Sequence, residues 1–238
     1  MSTFREEIPA LAEALEGKQP EEILGEIAPR FPRWIALANS FGPEDCLLVD
    51  MIARARLRVG VFTLDTGFLF PETYALWRQL EERYRITIRA ARADAPAEPG
   101  PAFPWERDPD ACCELRKVRP LRAELANLGA WVTGIRRDQT PDRANAKVVE
   151  WDARFDLVKV NPLAAWTSEE VWAYVRRFGV PTNPLHERGY ASIGCGPCTT
   201  PVKLGEDPRA GRWRGREKTE CGLHADPTGR LVRERAGS

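Results

Sequence analysis

The stretch Trp34-Ile-Ala-Leu-Ala-Asn39-Ser40-Phe41-Gly42-Pro43-Glu44-Asp45-Cys46-Leu47-Leu48-Val49-Asp50-Met51-Ile52 decides the fold of this chain. Its first five residues form an apolar run long enough for a buried strand and too short for a helix. Asn39 to Gly42 supply a tight turn. Pro43, Glu44 and Asp45 then open a helix whose apolar positions include Cys46, Leu47, Val49, Met51 and Ile52. Strand, turn and helix in that order form the opening unit of a parallel α/β sheet.

The pattern repeats outward from there. Val59 to Leu64 is a second buried strand ending in Asp65-Thr66-Gly67, and Ile86 to Ala90 is a third. Between them Tyr74, Leu76, Trp77, Leu80 and Tyr84 give a helix from Pro71 to Tyr84 one apolar stripe. Ala91 to Pro109 reads as a surface loop. Asp110 is a candidate cap for a helix carrying Cys112 and Cys113, with Pro120 marking a break or restart before Leu121 to Leu128. Trp131 to Ile135 is a fourth strand leading into Arg136, Arg137, Asp138 and Gln139. Val148 to Trp151 and Phe155 to Val160 suggest a hairpin, and Thr167-Ser-Glu-Glu170 is a capping box for a helix to Phe178. Strands alternating with helices predict a doubly wound, mostly parallel α/β sheet over residues 1–203. Beyond Lys203 the apolar periodicity fades, so 204–238 is expected to be a basic, mobile C-terminal tail.

A chain of 238 residues, 43% hydrophobic and 29% charged, has the composition of a globular protein with a sizeable core. Its net charge of zero gives no global case for nucleic acid. No apolar run approaches the length of a membrane span, and Met1 to Glu16 lacks the apolar centre of a secretory signal. Together with unbridged, closely paired cysteines, this points to a reducing cytoplasm.

In such a sheet, ligands sit beyond the carboxyl ends of the strands. Ser40–Asp45, Leu64–Gly67 and Gly134–Gln139 all fall at such ends and would share one crevice. The first is expected to offer free backbone N–H groups at a helix N-terminus, an anion cradle, though alone it reads equally as a plain turn. The six cysteines divide unevenly. Cys46 lies in the helical core pattern. Cys112 with Cys113 and Cys195 with Cys198 could supply the four thiolates of a tetrahedral zinc or an iron–sulfur cluster. Adjacent cysteines are not a usual zinc spacing, which favours a cluster. Gly194, Gly196 and Pro197 suggest a bend that turns backbone amides toward sulfur. Lys117 would share a helix face with Cys113 and offset the cluster's charge or reach an anion. Cys221 is left for chemistry, with His224 placed to lower its thiol pKa if charged and close. His186 has no comparable context. Arg209, Arg212, Arg214, Arg216 and Lys218 precede Cys221, against the single acid Glu217.

Taken together, Cys112-Cys113-x-x-Arg116-Lys117-x-x-Pro120-Leu121, Cys195-Gly-Pro-Cys198 and Glu220-Cys221-Gly-Leu-His224 resemble the bacterial assimilatory sulfonucleotide reductases. Thr63-Leu-Asp-Thr-Gly67, Phe70-Pro-Glu-Thr73 and Gly134-Ile-Arg-Arg-Asp-Gln139 extend the likeness across Trp34 to His224. The resemblance implies an adenine nucleotide α-hydrolase-like fold and one [4Fe-4S] cluster on Cys112, Cys113, Cys195 and Cys198, with a structural and electrostatic job. It implies reduction of adenosine 5′-phosphosulfate (APS) to sulfite and AMP through a Cys221 S-sulfonate. Electrons would come from a separate thioredoxin or glutaredoxin, and a homo-oligomer is plausible within the family. Ser40, Phe41, Gly42, Leu64, Asp65 and Thr66 would hold the adenosine. Lys117, Arg136, Arg137, Arg209 and Arg212 would hold the phosphate and sulfate. Reductases of the 3′-phosphorylated substrate (PAPS) are the near alternative, and they generally lack the paired cluster cysteines. An ATP-activating RNA thiolation enzyme would usually carry Ser-Gly-Gly-x-Asp-Ser where this chain has Ser40-Phe-Gly-Pro-Glu-Asp45. A reading of another class is a zinc-stabilised nucleic-acid-binding or redox-responsive regulatory module.

Overall fold

Six strands form one sheet in the order β3-β2-β1-β4-β6-β5: β1 Ile35–Ala38, β2 Gly60–Leu64, β3 Ile88–Ala91, β4 Ala130–Val132, β5 Val149–Asp152 and β6 Leu157–Val160. All neighbours run parallel except β5, which pairs antiparallel with β6 as the edge hairpin expected from the sequence. The computed structural model describes residues 2–93, 104–216 and 218. Cys221 and His224 lie outside them.

Side chains alternate across the sheet with the period of two that a pleated strand imposes. Leu37, Val61 and Val132 enter one large core with Leu47, Leu48, Met51, Leu76 and Leu80, while Ala36, Phe62 and Trp131 enter a smaller one. The larger core is built by α3 (Pro43–Arg54), α4 (Pro71–Tyr84) and α8 (Ser168–Phe178), together with α1 (Ser2–Leu15) and α2 (Pro20–Ile27). The sequence reading passed over α1 and α2. α1 packs on β5, and Pro20 with the Gln19/Glu22 capping box starts α2. α4 has the predicted bounds, and α8 opens on the expected Thr167/Glu170 capping box.

The cysteine-bearing helix departs from expectation at both ends. Asp108, not Asp110, caps it: Asp108 Oδ1 accepts from the amides of Asp110 at 3.0 Å and Ala111 at 2.9 Å. Pro109, pre-set for the first helical position, moves the start by two residues. α6 (Pro109–Cys113) then passes through a π turn, Glu114–Val118, into α7 (Arg119–Leu125). A proline inside a regular helix clashes with the carbonyl four residues back. The wider turn before Pro120 relieves that clash, so the helix continues instead of breaking. Leu121 and Leu125 of α7 cover the smaller core. A short helix, α5 (Pro104–Arg107), occupies the end of the segment expected to be loop.

Among the described residues no helix is long and apolar enough to cross a membrane. Residues 204–216, assigned by sequence to the tail, run back along the Cys195–Cys198 turn, and Trp213 is buried. The Tyr174 hydroxyl donates to the buried Asp50 carboxylate at 2.8 Å and so ties α8 to α3. Removing the donor leaves a buried acceptor short of a partner. Tyr174→Phe is therefore expected to lower the unfolding free energy by about 1–3 kcal/mol in chemical denaturation, whereas an unchanged midpoint would mean that the bond carries no net stability.

Candidate active site

The strand order reverses at β1, whose neighbours are β2 and β4, so a crevice opens beyond the carboxyl ends of these strands. The three predicted segments follow those strands: Ser40–Asp45 after β1, Leu64–Gly67 after β2 and Gly134–Gln139 after β4. Gly134 sits so close to the start of α3 that a Cβ there would overlap the Asp45 carboxylate and the Glu44 Cβ. Only glycine permits that approach.

The turn after β1 differs from expectation in one respect. Its first amides are not free. The Ser40 amide and hydroxyl both donate to Asp45 Oδ2, at 2.7 and 2.6 Å, and the Phe41 amide donates to Asn39 Oδ1 at 2.7 Å. Phe41 takes a left-handed φ of 64° and buries its ring against Trp77, with centroids 5.7 Å apart. Gly42 is the residue before the first turn of α3. A buried carboxylate thus stands where an incoming anion's oxygen would, and burial pushes the Asp45 carboxyl up to about 6 despite its Ser40 donors.

Arg136 is buried and pairs with Glu44 at 3.0 Å and with Asp138. Gln139 donates to the same Glu44 oxygen at 3.1 Å. Arg137 points elsewhere, gripping Glu16, in the turn just after α1, with two bonds of 2.7 and 2.8 Å and the Ala146 carbonyl at 2.8 Å. After β2, Leu64 is half-buried. Asp65 accepts from Tyr74 at 2.7 Å, Gly67 at 3.1 Å and Arg92 at 2.8 Å. Burial opposes its charge, but these donors outweigh burial and hold the carboxyl below its usual range.

Thr66 joins the crevice to a second feature. Its hydroxyl lies 3.2 Å from Cys195 Sγ, and its carbonyl accepts from Arg116 Nη1 at 3.1 Å. Cys112, Cys113, Cys195 and Cys198 line one recess there, with Phe68, Trp105, Arg116 and Lys117. No described cysteine is in a disulfide, and Cys46 is buried elsewhere in the core as expected. Burial and the neighbouring Cys195 push the Cys112 thiol up, against Arg116, Lys117 and Lys218; burial and Cys195 likewise raise Cys198, against Lys117 and Arg212. Lys117 therefore faces thiols from both pairs. Arg116 and Phe68 were not among the predicted site residues. The guanidinium of Arg116 lies 4.6 Å from the Phe68 ring centroid, and its place three residues after Cys113 was the available signal.

Two details need correction. The amides flanking Cys195 do not turn toward sulfur: Gly194 donates to Thr199 Oγ1 at 3.2 Å and Gly196 to the Phe68 carbonyl at 2.7 Å. Among the described residues, moreover, no three His, Cys, Asp or Glu side chains converge closely enough to hold a single metal ion. The four cysteines surround a shared space instead. The donor set, all sulfur with cations beside it, fits the cluster.

Arg212 lies on the Cys198 side of the recess. Its guanidinium packs so closely on Gly194 that a Cβ there would overlap it, and Nη1 reaches Ser192 Oγ at 3.4 Å. Arg209 is half-buried in the preceding turn, its amide bonded to Asp207 at 2.7 Å. His186, ignored by the motif reading, has Nδ1 2.8 Å from the Tyr190 carbonyl oxygen.

The phosphoadenosine phosphosulfate reductase domain matches residues 34–201. The chain is 46% identical to the phosphoadenosine 5′-phosphosulfate reductase of Gloeobacter violaceus, over 90% of this chain and 92% of that one. It is 44% identical to the adenosine 5′-phosphosulfate reductase of Halalkalibacterium halodurans, over 89% and 94%. Among solved structures it resembles the phosphate complex of the phosphoadenylyl-sulfate reductase of Candida auris, with a TM-score of 0.74 and 29% identity, over 82% of this chain and 97% of that one. The sheet is of the adenine nucleotide α-hydrolase-like type.

Asp45 gives this site a pH signature. Its folded value of about 6 exceeds the ordinary 3.8, so the folded state binds the proton more tightly than the unfolded state. Stability must then fall as pH rises between those values and level off above them. Asp45→Asn is expected to flatten that stretch of the profile in chemical denaturation, while parallel profiles for variant and parent would refute the assignment.

Proposed function

The chain belongs to the phosphoadenosine phosphosulfate reductase domain family, and from that premise we propose that it reduces APS to sulfite and AMP. The observation that carries this choice over PAPS is the recess holding both cysteine pairs beside the nucleotide crevice. Relatives of nearly equal identity carry either substrate in their names, so the names do not decide it. In this reading Cys112, Cys113, Cys195 and Cys198 would hold one [4Fe-4S] cluster, which would supply a structural and electrostatic centre.

The chain's own residues supply the rest. Adenosine lies over Ser40, Phe41 and Gly42 and against Leu64, Asp65 and Thr66. Lys117 and Arg212, both beside Cys198, meet the phosphate and sulfate oxygens, and Arg209 joins them from the neighbouring turn, since guanidinium forks suit such anions. Arg136 orients Glu44 at the crevice wall. Arg137, committed to Glu16, acts at most by holding its loop. The Cys221 thiolate attacks the sulfate sulfur, the sulfur–oxygen bond to the phosphate breaks, and AMP leaves with that electron pair. A charged His224 favours the thiolate. A thioredoxin or glutaredoxin thiolate then attacks Cys221 Sγ and releases sulfite, and the donor's second thiol closes its own disulfide and frees Cys221. Two electrons pass from the dithiol to sulfur. Lys218 is the last described residue, and three further residues reach Cys221, a span of at most about 11 Å.

Intact mass of anaerobically prepared protein, incubated with APS or with PAPS and no thiol donor, tests this directly. A sulfonate adduct on Cys221 with APS alone is the expected result, and adduct with PAPS alone would overturn the substrate. Cys221→Ser is expected to form no adduct and to keep the iron content of the parent. Loss of iron in that variant would mean that holders and reactant have been exchanged.

A further inference from the structure

Two basic side chains enclose the buried indole of Trp213: the Arg212 guanidinium at 4.6 Å from the ring centroid and the Lys218 ammonium at 5.3 Å. The Trp213 amide donates to the carbonyl of Cys198 at 3.0 Å. Upstream, Thr199 bridges Arg212, and the Thr200 amide donates to Gly211 at 2.9 Å. This segment is therefore fastened to one cysteine-bearing turn. At its far end the Lys218 side chain, only 7% exposed, pairs with Asp110 of α6, two residues before Cys112. Arg216 Nη1 donates to the Glu106 carbonyl of α5 at 2.9 Å. A closed circuit results, running from Cys198 through Trp213 and Lys218 to Asp110 and Cys112.

We propose that the Asp110–Lys218 ion pair, seated on Trp213, is a latch that holds the base of the terminal segment over the cysteine recess, making Lys218 a positioning residue for Cys221. The inference deepens the reading of Cys221 as nucleophile and rests on it for the catalytic consequence alone. A lysine that served only solubility would project into water. Lys218 instead sets its ammonium both over an aromatic ring and against a carboxylate, where the ion pair and the cation–π contact reinforce each other. The latch also explains why a segment rich in Arg and Gly keeps one buried tryptophan. Its anchors are the two elements that carry the cysteine pairs.

Two readouts on the full-length protein test this, with Lys218→Ala, Asp110→Asn, the double variant and Lys218→Arg. In the first, brief trypsin treatment without any nucleotide measures cleavage after Arg216. An ion pair with one partner exposed is worth up to about 1 kcal/mol, or about fivefold, so release of the latch predicts a rise of roughly two- to fivefold in both single variants. The double variant should be no faster than either single one, and Lys218→Arg should stay near the parent. In the second, the rate of S-sulfonation with APS should fall by a comparable factor in the same variants, with the visible absorbance of the protein unchanged. Equal cleavage in all five proteins would overturn the latch. A rate lost in Lys218→Ala but kept in Asp110→Asn would also overturn it, by making Lys218 a substrate contact. The cleavage readout does not depend on the substrate, so failure of the proposed activity would show as a parent protein that takes no sulfonate while the cleavage pattern stands.

Discussion

The contact between Thr66 and Cys195 is the joint of this molecule. Thr66 is the point where the carboxyl end of β2 meets the cysteine turn. Its hydroxyl faces Sγ at 3.2 Å while its carbonyl takes the Arg116 guanidinium from the π turn after α6. Three elements far apart in sequence therefore meet at one residue. The sheet supplies rigidity, because β2 lies between β1 and β3 and its side chains are packed on both faces. That joint sets the carboxyl ends of the strands and the cysteine recess side by side.

Charge is distributed accordingly. The crevice wall carries acids, Glu44 and Asp45 at the start of α3 and Asp65 after β2, each answered by internal donors. The recess carries the cations: Arg116 and Lys117 from the π turn, Arg212 and Lys218 from the chain that returns beside Cys198. An adenosine half and an anionic half of one ligand are suited to these two environments. The Cys112 and Cys198 thiols, pushed up by burial and by Cys195, would lose their protons on binding a metal, with the flanking cations easing that loss.

Much of this was legible in the sequence because it is local. The helix from Pro71 to Tyr84 and the Thr167/Glu170 box are set by residues within a few positions of one another, and both stand as read. The alternation within β1, β2 and β4 needed only adjacent residues. The cysteine pairing was legible from count and spacing. What the sequence hid was long-range. Arg137 adjoins Arg136 yet turns to Glu16, distant in sequence, and no pattern around either residue announces that pair. The Ser40 and Phe41 amides look free in the sequence because Asp45 and Asn39 suit a helix opening and a turn as well as they suit acceptors. Pro120 signalled an irregularity without saying which kind, and the π turn is the answer that keeps Cys112, Cys113 and Lys117 on one continuous helical element. Trp213, a lone aromatic among Arg and Gly, has no periodicity to betray its burial.

The division of the cysteines into four holders and one reactant is the claim on which the account stands. Iron and inorganic sulfide analysis, combined with the Mössbauer spectrum of anaerobically purified protein, tests it most directly. The account predicts about four irons and four sulfides per chain in a single cubane-type signal. It predicts their loss when any one of Cys112, Cys113, Cys195 or Cys198 becomes serine. One zinc per chain with no inorganic sulfide, or full iron retention after loss of a holder, would contradict it.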